Sequence, residues 1–351
     1  MTIPPASAVS ASRFDVQART LAPGIAFAVV VAIVAVAGAP FIARVAPIPA
    51  MVLALIIGVA LNPLAARPLF APGLTFCVKK LLRWAVALLG LRVALGEIIA
   101  LGVPVAILVI VSMALTIVSG FLLAHLFRQA SGFGALAGAG TAVCGASATL
   151  ATSIVVPNYS GKEADTVFVV IAVNALSTLA MVLYPPLCAW LGLDTTFTGV
   201  MLGATIHDVA QVVGAGYAVS EPVGNTAVIV KLFRVFLLLP VVLAIGWWFM
   251  RAGEEAGDAK VPVPVFALVF LALCIINSAM PHVPALAPVY APIKDVLVFA
   301  STWGLLIAIA ALGLGTSLTA ITALGWRHVA TVTGTTLVIL VIATGGLLAL
   351  R

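Results

Sequence analysis

The sequence predicts an all-α integral membrane protein of about 11 transmembrane helices, with inverted repeats and two glycine-broken helices crossing at mid-membrane. Three observations carry this. The 351 residues are 64% hydrophobic and only 8% charged, with a mean hydropathy of +1.28, whereas a soluble domain needs about 25% charged residues to cover its surface. The apolar residues come in continuous runs of ~20, the length of a membrane-spanning helix, rather than in the alternation of a β-barrel. Two of those runs carry glycines and polar groups at half depth.

Breaks at proline, glycine and charge clusters place spans near 23–43, 48–64, 74–92, 102–127, 133–157, 164–191, 197–219, 223–250, 263–280, 290–314 and 326–350. Residues 1–22 read as a cytoplasmic N-terminal segment and 23–351 as one transmembrane domain. No cleavable signal peptide is expected, because the first apolar run is long enough to remain as a span. Cys77, Cys144, Cys188 and Cys274 stand singly in apolar stretches, which suits small hydrophobes rather than disulfides or a zinc site.

The formal charge of +6 fits lysine and arginine in cytoplasmic loops and not nucleic-acid binding. With the N-terminus inside, the inner segments hold Arg13, Arg19, Arg67, Lys79, Lys80, Arg83, Arg128, Arg251, Lys260 and Arg327. The outer ones hold Arg44, Arg92, Lys162, Lys294 and Arg351. Ten against five puts the N-terminus in the cytoplasm. An internal echo supports repeats: LGLRVALGEIIALG (residues 89–102) and LGLGTSLTAITALG (residues 312–325) agree at eight of fourteen positions. Chance similarity in a Leu/Ala/Gly-rich chain is the competing explanation. Copies facing opposite ways are a mark of secondary transporters.

The fifth span, GALAGAGTAVCGASATLATSIVVP, packs four glycines around Thr141, Cys144 and Ser147. The seventh contains LGATIHDVAQVVGAG. Each glycine costs a helix interior about 1 kcal/mol against alanine, so such stretches either pack closely on a neighbour or break. The polar residues favour breaks, since a charge at the bilayer centre costs at least ~2.5–3.5 kcal/mol and seeks a cavity or partner. His207 lies about ten residues in, ~15 Å deep, with Asp208 beside it and Gln211 one turn on. A buried His–Asp pair closing a packing contact is the plainer alternative. In the eighth span, VIVKLFRVFLLLP, Lys231 and Arg234 share a face. Beside half-helix N-termini they would form an anion pocket, although Lys231 could also snorkel to the surface. Asn174 and Ser177 in the sixth span could line the same cavity or bond helix to helix.

GTAVCGASA, HDVAQVVGAG, VKLFRV and ALGLGTSL, in this order, resemble the signatures of the sulfate-exporter (YeiH-like) family, within the cation/proton antiporter and anion transporter superfamily. The likeness runs from about residue 20 to the end of the chain. It implies inverted repeats, two discontinuous helices crossing at mid-membrane, and sulfate, sulfite or related sulfonates as substrates.

The resulting expectation is a multi-pass inner-membrane secondary transporter that exports a small inorganic anion by alternating access, and not an enzyme: no HExxH, GxSxG or GxxxxGK[ST] segment is present. The expected site comprises Thr141, Cys144, Gly145, Ser147, Thr205, His207, Asp208, Gln211, Lys231 and Arg234. His207 and Asp208 would couple transport to protons or sodium, and Lys231 and Arg234 would bind the anion. No resident cofactor, metal or nucleic acid is expected; the partners are the anion, the lipid bilayer and a second copy in a homodimer. The rivals are a cation/proton antiporter carrying its ion on Asp208, and an anion channel.

Overall fold

The computed structural model describes residues 6–42, 50–252, 265–283, 286–315 and 325–351; among these there are helices and no strands. The helices are α1 (Ala6–Ile42), α2 (Ala50–Ala60), α3 (Asn62–Ala65), α4 (Ala71–Phe76), α5 (Leu82–Leu88), α6 (Leu95–Ala100), α7 (Gly102–Leu126), α8 (Ser131–Ala142), α9 (Ala146–Val155), α10 (Lys162–Trp190), α11 (Thr195–Thr205), α12 (Val209–Val219), α13 (Glu221–Phe236), α14 (Leu238–Arg251), α15 (Val265–Ala279), α16 (Ala287–Gly315) and α17 (Trp326–Leu350). Among the described residues, seven helical segments are long and apolar enough to cross a membrane: Arg19–Ile42, Gly102–Leu126, Lys162–Trp190, Glu221–Arg251, Val265–His282, Pro288–Gly315 and Trp326–Leu350. The chain is a multi-pass membrane protein. On α7 the exposed residues Val103, Ile107, Ile110, Val118 and Leu122 form an apolar stripe that water would not tolerate and lipid tails would.

The chain gathers into two compact units. One holds α1 to α5 with α16. Its helices close on small residues: a Cβ on Gly24 would strike the backbone at Gly73, and one on Gly58 the backbone at Gly313. Ser301 Oγ donates to the Ala85 carbonyl at 2.7 Å and Asn62 Nδ2 to that of Leu314 at 2.8 Å, so polar groups away from water have partners.

The other unit, Gly90–Ala287 with Leu318–Arg351, contains every residue of the expected site. The fifth and seventh apolar segments are interrupted, at Val143–Gly145 and Ile206–Asp208, but their halves do not continue across. In the first, Gly132 at the start of α8 lies against Val156 and Tyr159 just past the end of α9, and Gly140 lies against Thr149. The two arms therefore run side by side in opposite directions. In the second, Gly199 of α11 and Gly216 of α12 both rest on the first two turns of α13, Gly199 on Val223 and Thr226, Gly216 on Gly224 and Ala227. Both segments are helical hairpins that enter and leave by the same end.

This corrects the expected crossing of two broken spanning helices: neither the fifth nor the seventh segment is a crossing. The physical reason lies in arm length. Arms of 10 to 12 residues reach about 15–18 Å at 1.5 Å per residue, half a bilayer, so each arm turns back at mid-depth. The hairpins open at opposite ends of α10, one just before Lys162 and the other just after Trp190. Each is followed by a long span, giving two consecutive hairpin-plus-span units of opposite direction. The 312–325 copy of the sequence echo lies for the greater part outside the described residues.

Candidate functional site

The hairpin tips meet beside the middle of α10. A Cβ on Gly145 would lie 3.8 Å from Asp208 Oδ2, and the Asp208 amide donates to Ser177 Oγ of α10 at 3.0 Å. The first tip needs a glycine, because Gly145 adopts φ +65°, where a side chain is strained. The second turns in extended backbone at Ile206 and restarts as α12 with Asp208 as its N-cap, Oδ1 accepting from the Ala210 amide at 3.1 Å.

Each tip leaves a helix C-terminus buried inside the protein, with carbonyls that no further turn can satisfy. Within the first, Val143 N–H takes the Ala139 carbonyl and Gly145 N–H that of Gly140. The remainder go to α13. Arg234 Nε donates to Ala142 O at 2.9 Å and Nη2 to Thr141 O and Ala142 O at 2.8 and 2.7 Å. Its Nη1 donates to Gly203 O, Ala204 O and Ile206 O of the second tip at 3.0, 2.7 and 3.1 Å. Lys231 Nζ donates to Val143 O at 2.7 Å, to Ile206 O at 3.0 Å and to His207 O. Both cations have no exposed surface, and both sit where the negative ends of α8 and α11 favour positive charge. The three N–H groups of Lys231 and the five of Arg234 are thus all engaged by carbonyls.

The opposite helix ends differ from one another. Asp208 caps α12, whereas no side chain caps α9. The Ala148 amide of its first turn is taken by the Cys144 sulfur, and those of Ala146 and Ser147 open beside the Ser147 side chain, which is exposed, and Asp208, which is half-buried. A helix N-terminus with a hydroxyl next to it is suited to an oxyanion.

The other expected residues divide. Thr141 Oγ1 pairs with Thr335 Oγ1 of α17 at 2.9 Å, and His207 Nε2 lies 3.0 Å from Thr336 Oγ1. Both buried groups tie a tip to α17. Cys144 is buried within the first tip. The Thr205 hydroxyl turns back to the Met201 carbonyl of its own helix. Gln211 reaches Asn174 and Thr178 of α10. Thr335, Thr336 and Thr178 had not been singled out in the sequence; the run TVTGTT in an otherwise apolar span was the available signal.

Residues 23–332 match the family model described as Conserved hypothetical protein 698. The UPF0324 membrane protein TauZ of Paracoccus pantotrophus is 41% identical over 329 residues, 93% of this chain and 94% of its own. A UPF0324 membrane protein of Chlorobaculum tepidum is 39% identical over 328 residues, 92% and 88% of the two chains, and one of Rhizobium meliloti 39% over 336 residues, 95% and 94%. No solved structure matches the chain significantly. With its hairpin tips joined at the middle of a helical, membrane-spanning unit, the chain belongs to the UPF0324 membrane protein family.

Proposed function

We propose that the protein is a secondary transporter of the inner membrane that exports a small oxyanion or sulfonate by alternating access, and not an enzyme. The observation that carries this reading is the meeting of two oppositely opening hairpins halfway along α10, with the uncapped N-terminus of α9 beside a half-buried carboxylate. Irregular backbone at membrane depth is tolerated where it lines a cavity, and in transporters such points bind the cargo.

The anion is held by the amides of Ala146 and Ser147 and by the Ser147 hydroxyl. Lys231 and Arg234, their donors occupied, fasten the two tips and keep the local potential positive. Asp208 repels an anion placed at α9 and therefore carries the coupling: a proton or a sodium ion must screen it before the anion settles. A dianion moving with one monovalent cation still carries net negative charge, so an inside-negative potential drives it outward. The name TauZ of one relative points toward taurine, a sulfonate, and agrees with this substrate class.

A cytoplasmic N-terminus agrees with the hairpins. They return the chain at Lys162 to the side of Arg128, so the ten-to-five lysine and arginine partition becomes eleven to four.

The test is flux of labelled sulfate, sulfite and taurine into proteoliposomes under imposed proton, sodium and potential gradients. Gradient-dependent flux of at least one of the three is expected. Sodium or proton exchange with no anion present would favour the antiporter, and ungated electrogenic flux the channel.

A further inference from the structure

We propose that Asn174, Thr178 and Gln211 form a sodium-binding site between α10 and α12, and that sodium is the ion that couples transport; this rests on the reading of the hairpin tips as the transport site.

Gln211 is fully buried, and its Oε1 has no hydrogen-bond partner. Its Nε2 lies 3.5 Å from Asn174 Oδ1 and 3.4 Å from Thr178 Oγ1, both beyond the usual 2.7–3.2 Å of an N–H···O bond. A buried amide with one end unpartnered and the other held by two long contacts is costly as it stands, since each unmet group loses about 1–3 kcal/mol. A half-turn of the amide exchanges Oε1 and Nε2, which turns the NH2 to the unpartnered side and sets three oxygens facing one another, an arrangement that a cation between them would stabilise. The Thr178 proton is already spent on the main-chain carbonyl of Asn174 at 3.0 Å, so its hydroxyl oxygen is left as an acceptor.

The spacing selects the ion. Two ligands at right angles, each about 2.4 Å from a calcium-sized cation, are roughly 3.4 Å apart. With the amide turned, Gln211 Oε1 would stand about that far from Asn174 Oδ1 and from Thr178 Oγ1. The shorter 2.0–2.1 Å bonds of magnesium demand a spacing near 2.9 Å. A divalent ion of calcium's size gathers several carboxylates, whereas these three ligands are neutral, with Asp208 the carboxylate on the same hairpin, one turn before Gln211. Neutral oxygens at calcium spacing describe sodium. Bound there, it adds positive charge at the start of α12 and screens Asp208, so the anion at α9 binds more tightly when sodium is present.

The experiment is thermal unfolding of the purified full-length protein against sodium chloride, with potassium chloride at matched ionic strength, since a ligand selective for the folded state raises its stability. Wild type should show a saturable rise with sodium and none with potassium. In Thr178→Val and Gln211→Leu the sodium midpoint should move up at least tenfold, and Gln211→Glu, which keeps an oxygen, should restore it. Thr178→Val keeps the shape of its residue and serves if Gln211→Leu fails to fold. No sodium-specific rise in wild type, or the same midpoint in Thr178→Val, overturns the site. Anion flux separates the two proposals. Full flux in potassium-only medium sinks the sodium site and leaves the transporter; a sodium midpoint that responds to these variants without any anion flux does the reverse.

Discussion

Arg234 is the residue whose replacement separates a structural clamp from a substrate ligand. It serves the carbonyls of Thr141, Ala142, Gly203, Ala204 and Ile206, of which Ile206 is also served by Lys231. Arg234→Met keeps the bulk and strands four buried carbonyls. At about 1–3 kcal/mol each, the loss is on the order of 4–12 kcal/mol, comparable with the 5–15 kcal/mol that holds a typical protein folded. This variant should not yield a monodisperse peak in fluorescence-detected size-exclusion chromatography. Arg234→Lys keeps the charge but has three donors for four carbonyls and no planar fork. It should fold, unfold several degrees lower than wild type, and bind sulfate or sulfite within about threefold of wild type by calorimetry. The opposite pattern, an unchanged unfolding temperature with anion affinity down tenfold or more, would show that the guanidinium holds the substrate and that the clamp is wrong.

Three further outcomes follow from the same geometry. Asp208→Asn retains a good N-cap, so stability should fall by no more than ~1 kcal/mol while anion affinity loses its dependence on sodium or pH; calorimetry across both conditions checks this, and unchanged dependence removes Asp208 from coupling. Ser147→Asp places a negative charge on the first turn of α9, which favours the helix and repels an anion. The unfolding temperature should hold or rise as flux disappears, and retained flux would move the anion elsewhere. Gly134→Ala and Gly345→Ala make one chemical change in two settings. A Cβ at Gly134 would come within 2.6 Å of the Gly120 carbonyl, while nothing lies within 4 Å of Gly345. The first should destabilise by about 1–3 kcal/mol and the second stabilise by up to about 1 kcal/mol; equal shifts would contradict the α7–α8 packing.

The interruptions were legible because glycine and buried polar residues are costly in a spanning helix, and both sequence segments break within three residues of where those residues cluster. Whether the chain continues or turns back was not legible. A break says where helical hydrogen bonding stops and nothing of the direction that follows, and arms near half a bilayer long suit either outcome. Lys162 was the available clue, a cation on the outer side of a crossing topology and on the inner side of a hairpin one. Arg234 was legible as a deep charge but not as a clamp. Its partners are main-chain carbonyls, which every residue carries and no letter of the sequence marks. Thr335 and Thr336 were missed for a related reason: threonine in an apolar span more often bonds its own preceding turn, as Thr336 also does to Val332.

The hairpins themselves are most directly tested by single cysteines at Arg128, Asn158, Asp194 and Ser220, in a background where the four native cysteines are replaced by alanine, probed in intact cells with a membrane-impermeant thiol reagent. Arg128 and Asn158 flank the first hairpin and should share one side; Asp194 and Ser220 flank the second and should share the other. Labelling that differs between Arg128 and Asn158, or between Asp194 and Ser220, would mean that the intervening segment crosses the membrane, and the meeting of two hairpin tips would be wrong.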